Sequence, residues 1–250
     1  MEARTVRCAV GPAASRFVPS RSSGLEPVND ARARTMTNPT SRFEGLASSP
    51  ASEQATGGLI IFLNGTSSSG KSSIARELVG VLDEPCFHMP VDAFHAMRSG
   101  PEMTPDQLNA VLKRTWMGFH RAVAGMAAAG NNIVVDHVLS ESWRLHDCLA
   151  LFAPQAVVLV GVRCPLPELE RREQARGDRP AGLAARQFDR VHAHGIYDVE
   201  CDTGSSSPVE CAREIKEFLR RRTTPTAFER MRSGSPARPA VGRDQASWSS

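Results

Sequence analysis

Lysine is scarce in this sequence. Only Lys71, Lys113 and Lys216 are lysines among its 30 basic side chains, and the rest are arginines. With plentiful Ala and Gly, that bias points to GC-rich coding, so most arginines need no functional explanation. Long hydrophobic runs are also missing: Leu59–Leu63 is five residues, far below the roughly 20 needed to cross a membrane. Residues 1–20 hold no continuous apolar stretch after a basic start, so no secretory signal is expected. The six cysteines (Cys8, Cys86, Cys148, Cys164, Cys201, Cys211) contain no C-x-x-C pair and no zinc-like cluster. Together these absences predict reduced thiols in a cytoplasmic protein with no membrane partner.

A surplus of positive charge is absent from the middle of the chain. The net charge is +3, but seven arginines and five acids fall in 1–56, and four arginines and two acids in 224–250. Residues 57–223 then carry 19 basic and 20 acidic side chains, which disfavours nucleic acid as a partner.

What is present begins with 41% apolar residues, enough to build a core. Residues 1–56 are rich in Ser, Arg, Pro and Ala without a sustained period. They are expected to form a disordered tail, or to follow a start placed too early, with Met36 as an internal alternative. A cleaved transit peptide would suit the Arg and Ser content, but five acids oppose it. Residues 224–250 have similar composition and are expected to be a second disordered tail. One domain, 57–223, remains.

Within it, short apolar runs at 59–64, 86–91, 133–138, 156–162 and 197–202 read as strands. Thr104-Pro105-Asp106-Gln107 and Ser207-Pro208-Val209-Glu210 read as capping boxes opening helices, the first of which closes at Gly130. Alternating strands and helices with continuous apolar strands predict an α/β fold in three layers, with a five-stranded parallel sheet covered on both faces.

The sharpest motif is Gly65-Thr66-Ser67-Ser68-Ser69-Gly70-Lys71-Ser72, matching G-x-x-x-x-G-K-[ST]. A Gly/Ser string can arise by chance in a Ser-rich chain, but this one has a strand before it and a helix after it, as a phosphate loop requires. The glycines let backbone N–H groups turn toward phosphate oxygens, and the helix start, Ser73 included, adds roughly half a positive charge. Lys71 can reach the β- and γ-phosphates, and the Ser72 hydroxyl can ligate Mg²⁺.

Two acids stand at the carboxyl ends of strands, where parallel sheets bind ligands. Asp136 follows Asn132-Ile133-Val134-Val135, the setting of a residue that holds Mg²⁺. Asp92 follows the strand after the loop helix, where a carboxylate can take the proton of an attacking hydroxyl. A helix cap or turn is the competing role for each, and their joint placement weighs against it. His88, His95 and His137 flank these acids; contact with a substrate is one role open to them, and partnership with backbone is the favoured one, while His192 and His194 are read as helix-end residues.

Arg172, Arg176 and Arg179 stand at i, i+4 and i+7 after the fourth strand, so a helix would align them. A solvated helix with Glu168–Arg172 pairs explains them blandly. Their position favours a lid whose arginines fold over the transferred phosphoryl group, bending at Gly177 and Pro180.

The chain resembles the chloramphenicol phosphotransferase family. The resemblance rests on Phe62 through Ser72, Pro90-Val91-Asp92-Ala93-Phe94, Val135-Asp136-His137-Val138 and Val160-Gly161-Val162-Arg163-Cys164. It continues through Ala175-Arg176-Gly177-Asp178-Arg179 and Tyr197-Asp198-Val199-Glu200-Cys201-Asp202-Thr203. It implies transfer of the ATP γ-phosphate to a primary hydroxyl of the antibiotic, with Asp92 as general base, on a P-loop kinase core. The chain departs from the family pattern at His137, where the family has a second acid, and between Phe94 and Thr104. That stretch should shape the acceptor pocket, so the acceptor stays open. The expected enzyme is a small-molecule O-phosphotransferase using ATP and Mg²⁺. The alternatives are a nucleotide, nucleoside or sugar-acid kinase on the same fold, or a non-catalytic nucleotide-binding module. A homo-oligomer is left open.

Overall fold

The computed structural model describes residues 57–177 and 181–234. The tail expected at 1–56 and residues 235–250 of the one expected at 224–250 lie outside the described residues, as does Arg179. The described chain falls within the compact unit Glu53–Ser250.

Five strands form one sheet in the order β2-β3-β1-β4-β5. They are β1 (Ile60–Asn64), β2 (Cys86–Pro90), β3 (Asn132–His137), β4 (Val157–Arg163) and β5 (Val199–Asp202), and every pairing is parallel. With β3 on one side and β4 on the other, β1 is buried at all five positions, which is why its sequence is an unbroken apolar run ending in one Asn.

Side chains alternate across the sheet. Ile60 and Phe62 face a cluster built with Phe119 and Val123 of α3 (Pro105–Ala128), Leu145 and Cys148 of α4 (Ser142–Leu151), and Phe228. Ile61 and Leu63 face the other cluster, built with Ile74 and Leu78 of α1 (Lys71–Val81) and with Cys211 and Ile215 of α7 (Pro208–Arg220). The expected three layers follow from this alternation. Both capping boxes form: Thr104 accepts from the Gln107 amide, Ser207 from the Glu210 amide, and each partner side chain reaches back.

Three expectations need correction. The fourth strand starts at Val157, because Pro154–Ala156 form a 3₁₀ turn, and the fifth starts at Val199, because Tyr197 turns inward to hydrogen bonds. The domain does not stop at 223. Thr226 opens a further helix, α8 (Ala227–Ser233), with a capping box of its own to Glu229. Phe228 is fully buried there, stacked on Phe152 at 6.2 Å. The Ser/Pro/Arg composition around this stretch hid a Thr-x-x-Glu start signal whose stability comes from one buried aromatic. Of the expected tail 224–250, residues 227–233 are therefore helix.

The remaining elements carry the site. The short α2 (Val91–Ala96) follows β2, α5 (Leu166–Arg176) follows β4, and α6 (Leu183–Val191) follows α5.

Candidate active site

The phosphate loop connects β1 to α1. At Gly65 a Cβ would lie 2.6 Å from the Val162 carbonyl oxygen and 2.7 Å from Ser69 Oγ, so no other residue fits. Gly70, the N-cap of α1, holds φ +89°, the left-handed region that glycine tolerates. Ser68 holds φ +63° without that tolerance, at a cost of order 1 kcal/mol. Its Oγ is buried without a hydrogen-bond partner, which a phosphate oxygen at the helix start would supply.

Lys71 is 6% exposed and folds back over the loop, its Nζ donating to the Thr66 carbonyl at 2.7 Å and to Ser69 Oγ at 3.5 Å. Beside it, Ser72 Oγ donates to Asp136 Oδ2 at 2.5 Å. His88 Nε2 stands 4.0 Å from the same carboxylate oxygen. Burial lowers the His88 pKa, against the pull of Asp136, so the imidazole tends to its neutral form. A hydroxyl and a carboxylate this close are the hard oxygen donors that suit Mg²⁺. The residues therefore fit the ion that the motif implies.

Asp92 lies exposed in the first turn of α2. Strand register puts Pro90 opposite Asp136, so Asp92 stands two residues beyond the metal-binding candidate, on the β2 side of the loop. On the opposite side, at the ends of β4 and β5, a cavity of about 430 Å³ opens beside Thr66, with Arg163, Phe188, His192 and Asp202 in its wall.

The arginines do not share one role. Arg172 Nε donates to Glu168 at 2.7 Å, Nη1 to Thr203 Oγ1 at 3.0 Å and Nη2 to the Thr203 carbonyl at 2.8 Å. Thr203 Oγ1 in turn lies 2.9 Å from the Ser69 carbonyl that accepts from it. Arg172 thus braces the loop through Thr203, and the bland Glu168 pair and a place beside the loop are both present. Arg171 and Arg172 hold the Glu168 carboxyl down to about 2. Arg176 is exposed in the last turn of α5, which Gly177 ends at φ +65°.

Several contributors escaped the sequence reading. Glu173 is buried and its carboxylate accepts from the Gly182 and Ala184 amides at 3.0 and 3.2 Å, so it caps α6 from α5. From α6, Gln187 Oε1 accepts from the Ser67 amide of the phosphate loop at 2.8 Å. The Asn64 amide nitrogen donates to the Val191 carbonyl at 2.9 Å and to Tyr197 Oη at 2.8 Å, while its oxygen accepts from the Leu139 amide. These bonds tie the chain after α6 to the end of β1. Burial drives the pKa of His192 down to about 3 and of His194 to about 4. His192 does end α6, as expected, and its Nδ1 lies 2.6 Å from Tyr197 Oη. His137, expected to bond backbone, instead packs on Phe62 and Phe119 with its Nε2 3.1 Å from His120 Nε2. Nothing in the spacing of Gln187, His120 and His137 announces these contacts.

Residues 58–220 match a family model described as chloramphenicol phosphotransferase-like protein. A Mycobacterium tuberculosis (strain ATCC 25618 / H37Rv) protein named "Putative O-phosphotransferase Rv2636" is 30% identical over 233 residues, which span 82% of this chain and 97% of that protein. The structure of Acinetobacter baumannii shikimate kinase in complex with shikimate is similar with a TM-score of 0.51 at 13% identity, over 67% of this chain and 96% of that one. The Deinococcus radiodurans tunicamycin resistance protein gives 0.51 at 17% identity, over 65% and 95%. At such identities these two structures establish the shared fold, the three-layer arrangement of P-loop kinases.

Proposed function

The chain belongs to the chloramphenicol phosphotransferase-like family and is a phosphotransferase on a P-loop kinase fold, and we propose that it moves the γ-phosphate of ATP, in the presence of Mg²⁺, to a hydroxyl of a small molecule in the cytoplasm. The observation that carries this reading is the Ser72–Asp136 pair at 2.5 Å, set at the start of the phosphate-loop helix with Asp92 in the first turn of α2 just past the adjoining strand end. A module that only bound nucleotide would need no base at Asp92.

In this reading the amides of residues 66–73, Lys71 and the helix start hold the triphosphate. Ser72 and Asp136 hold Mg²⁺, which when bound neutralises charge on the phosphate oxygens. The 430 Å³ cavity on the β4–β5 side takes the nucleoside half, and the acceptor approaches from the β2–β3 side. Asp92 accepts the hydroxyl proton while the acceptor oxygen bonds to the γ-phosphorus. The bond from that phosphorus to the β–γ bridging oxygen breaks and ADP leaves. Arg172 steadies the loop through Thr203, and Arg176 and Arg179 belong to the segment that closes over the transfer point. Positioning carries most of such a reaction, so a misplaced acceptor loses turnover steeply.

The acceptor is the open quantity. Chloramphenicol is the compound the family name suggests, and phosphorylating it would inactivate the antibiotic. The relative's name also supports O-phosphotransfer. The test is ADP release by the purified protein with ATP and Mg²⁺, offered chloramphenicol, nucleoside monophosphates and gluconate in parallel. Acceptor-stimulated ADP release with a phosphorylated product supports the reading. ATP binding with no acceptor-stimulated turnover refutes it and leaves the nucleotide-binding module.

A further inference from the structure

The cavity at the ends of β4 and β5 is built with more chemistry than a generic nucleoside needs. It holds about 430 Å³, the size of a small-molecule site, and opens beside Thr66 of the phosphate loop. Phe188, half-buried against Cys164 and Leu169, and Pro165 give it apolar walls. Asp189 and Asp202 also line it, and both are exposed, so their carboxylates stand at its mouth. Two carboxylates repel phosphate there, which leaves the flat, uncharged base as the part of a nucleotide that suits this cavity.

Bonds already made within the fold decide which polar groups are left to read that base. Arg163 gives its Nε and Nη2 to Glu200 at 2.8 and 2.7 Å. Asp202 Oδ1 accepts from the Gly204 amide at 2.8 Å. The Asp189 carboxylate makes no hydrogen bond or ion pair among the described residues. It is a free acceptor.

His192 is held from behind. The Asn64 amide nitrogen donates to Tyr197 Oη at 2.8 Å, and its orientation is set by the Asn64 oxygen, which accepts from the Leu139 amide. The phenol keeps one hydrogen to give, and its remaining partner among the described residues is His192 Nδ1, 2.6 Å away. Tyr197 therefore donates to Nδ1. Burial, with Arg163 nearby, pushes the His192 pKa down to about 3, so the ring is neutral and its own hydrogen lies on Nε2. Nε2 has no protein partner among the described residues and is not sealed from solvent, so it presents an N–H to the cavity that His192 lines.

Asp189 and His192 stand three residues apart at the end of α6, a spacing that sets Cβ atoms about 5–6 Å from each other. An acceptor and a donor thus lie side by side. The Watson–Crick edge of guanine is their complement: O6 accepts, while N1–H and the N2 amino group donate. Adenine offers the reverse, setting its N6 amino group against the His192 N–H and its N1 lone pair against the carboxylate. Such mismatched polar groups lower affinity.

We propose that this cavity reads guanine, with His192 Nε2–H donating to O6 and the Asp189 carboxylate accepting from N1–H and the N2 amino group, so that GTP serves as a phosphoryl donor beside ATP. This rests on the kinase reading above and deepens it at the nucleotide half. The transfer itself is unchanged. The acceptor oxygen bonds to the γ-phosphorus, the bond from that phosphorus to the β–γ bridging oxygen breaks, the hydroxyl proton goes to Asp92, and GDP leaves.

Titration calorimetry of the full chain with Mg²⁺ and ADP, GDP or IDP tests base recognition without turnover. GDP should bind at least as tightly as ADP. IDP keeps O6 and N1–H but lacks the N2 amino group, and should bind about tenfold more weakly than GDP, the effect of one hydrogen bond to a charged partner at an exposed rim. Asp189→Asn changes an exposed side chain that bonds nothing in the fold, and it should reverse the order. Its oxygen accepts from adenine N6 and its N–H donates to N1, so the GDP to ADP preference should fall by tenfold or more. Asp189→Ala should weaken GDP without a gain for ADP. ADP binding without GDP binding, IDP bound as tightly as GDP, or Asp189→Asn weakening GDP and ADP by the same factor overturns the guanine assignment and leaves the kinase reading standing. GTP that fails to phosphorylate an acceptor that ATP phosphorylates does the same. A chain that binds none of the three nucleotides overturns the kinase reading and this assignment with it.

Discussion

On the proposed function, Gln187 occupies a place that a phosphate oxygen would take. Its side-chain oxygen accepts from the Ser67 amide at 2.8 Å, and that amide is one of the donors through which a phosphate loop grips its nucleotide. Nucleotide and Gln187 therefore compete for one N–H. An intramolecular hydrogen bond between neutral groups contributes about 0.5–1.5 kcal/mol net, and a charge-assisted bond to phosphate is roughly twice as strong. The exchange favours nucleotide, but only after the Gln187 bond is given up. Gln187→Ala removes that competing bond, so ATP should bind about two- to thirteenfold more tightly, the same 0.5–1.5 kcal/mol expressed in affinity. Gln187→Glu should act in the opposite sense, because a carboxylate accepts more strongly from Ser67 and repels the triphosphate.

The assay is titration calorimetry with ATP and Mg²⁺ at fixed salt, run on the three proteins at one pH. Salt must be fixed because the phosphate contacts are screened and the amide contact is not. The competition requires α6 to be held where Gln187 can reach, and Glu173 holds it by capping Gly182 and Ala184. Gln187→Ala affinity that is unchanged or weaker would refute the placeholder role and show that Gln187 contributes a contact in the bound state instead.

Three further outcomes are expected. Asp92→Asn should leave ATP affinity intact and lower acceptor-dependent turnover by about two orders of magnitude or more, measured by coupled ADP release; retained turnover would remove Asp92 as the base. Phe228→Ala should lower the unfolding free energy by about 3–5 kcal/mol in urea titration, since the ring is fully buried against Phe152; an unchanged midpoint would detach α8 from the fold. Stability should fall as pH drops from 7 to 5. His192 and His194 hold folded pKa values of about 3 and about 4 through burial, below the ordinary 6.5, so below that value the unfolded chain binds protons the folded one excludes. Each contributes at most about 1.4 kcal/mol per pH unit, less whatever solvent screening removes, and a urea midpoint that is flat across this range would contradict their burial as neutral rings.

How much of this was legible depended on whether the signal was local. Gly70 is demanded by its own φ of +89° and Gly65 in part by the nearby Ser69 Oγ, so the spacing G-x-x-x-x-G-K-[ST] reports both, although the tightest contact at Gly65 is the distant Val162 carbonyl. Thr104 and Ser207 cap helices through partners three residues away, so the sequence displays both halves of each bond. β1 reads as buried because five apolar or amide residues in a row have no solvent face. Thr226 carries the same kind of local signal, a box to Glu229, but the surrounding Ser, Pro and Arg drowned it, and the decisive partner, Phe152, lies far away in the chain.

The arginine segment shows where such reading ends and why. The spacing of Arg172 and Arg176 was right for one helical face, and α5 does carry both. What spacing could not contain was Thr203, 31 residues on, which takes two of the Arg172 donors and turns that side chain from a phosphate ligand in waiting into a brace for the Ser69 carbonyl. Periodicity reports which side chains share a face; it carries no information about what the fold brings opposite that face. The same limit hid Gln187, whose partner Ser67 is 120 residues away, and the His120–His137 contact across two elements. Each of these long-range partners is polar and each ends on the phosphate loop or on the strand beside it. That is the expected pattern if the loop's local motif supplies the chemistry common to the fold, while distant polar side chains, free of any local rule, decide how tightly the nucleotide is held and which alcohol is accepted.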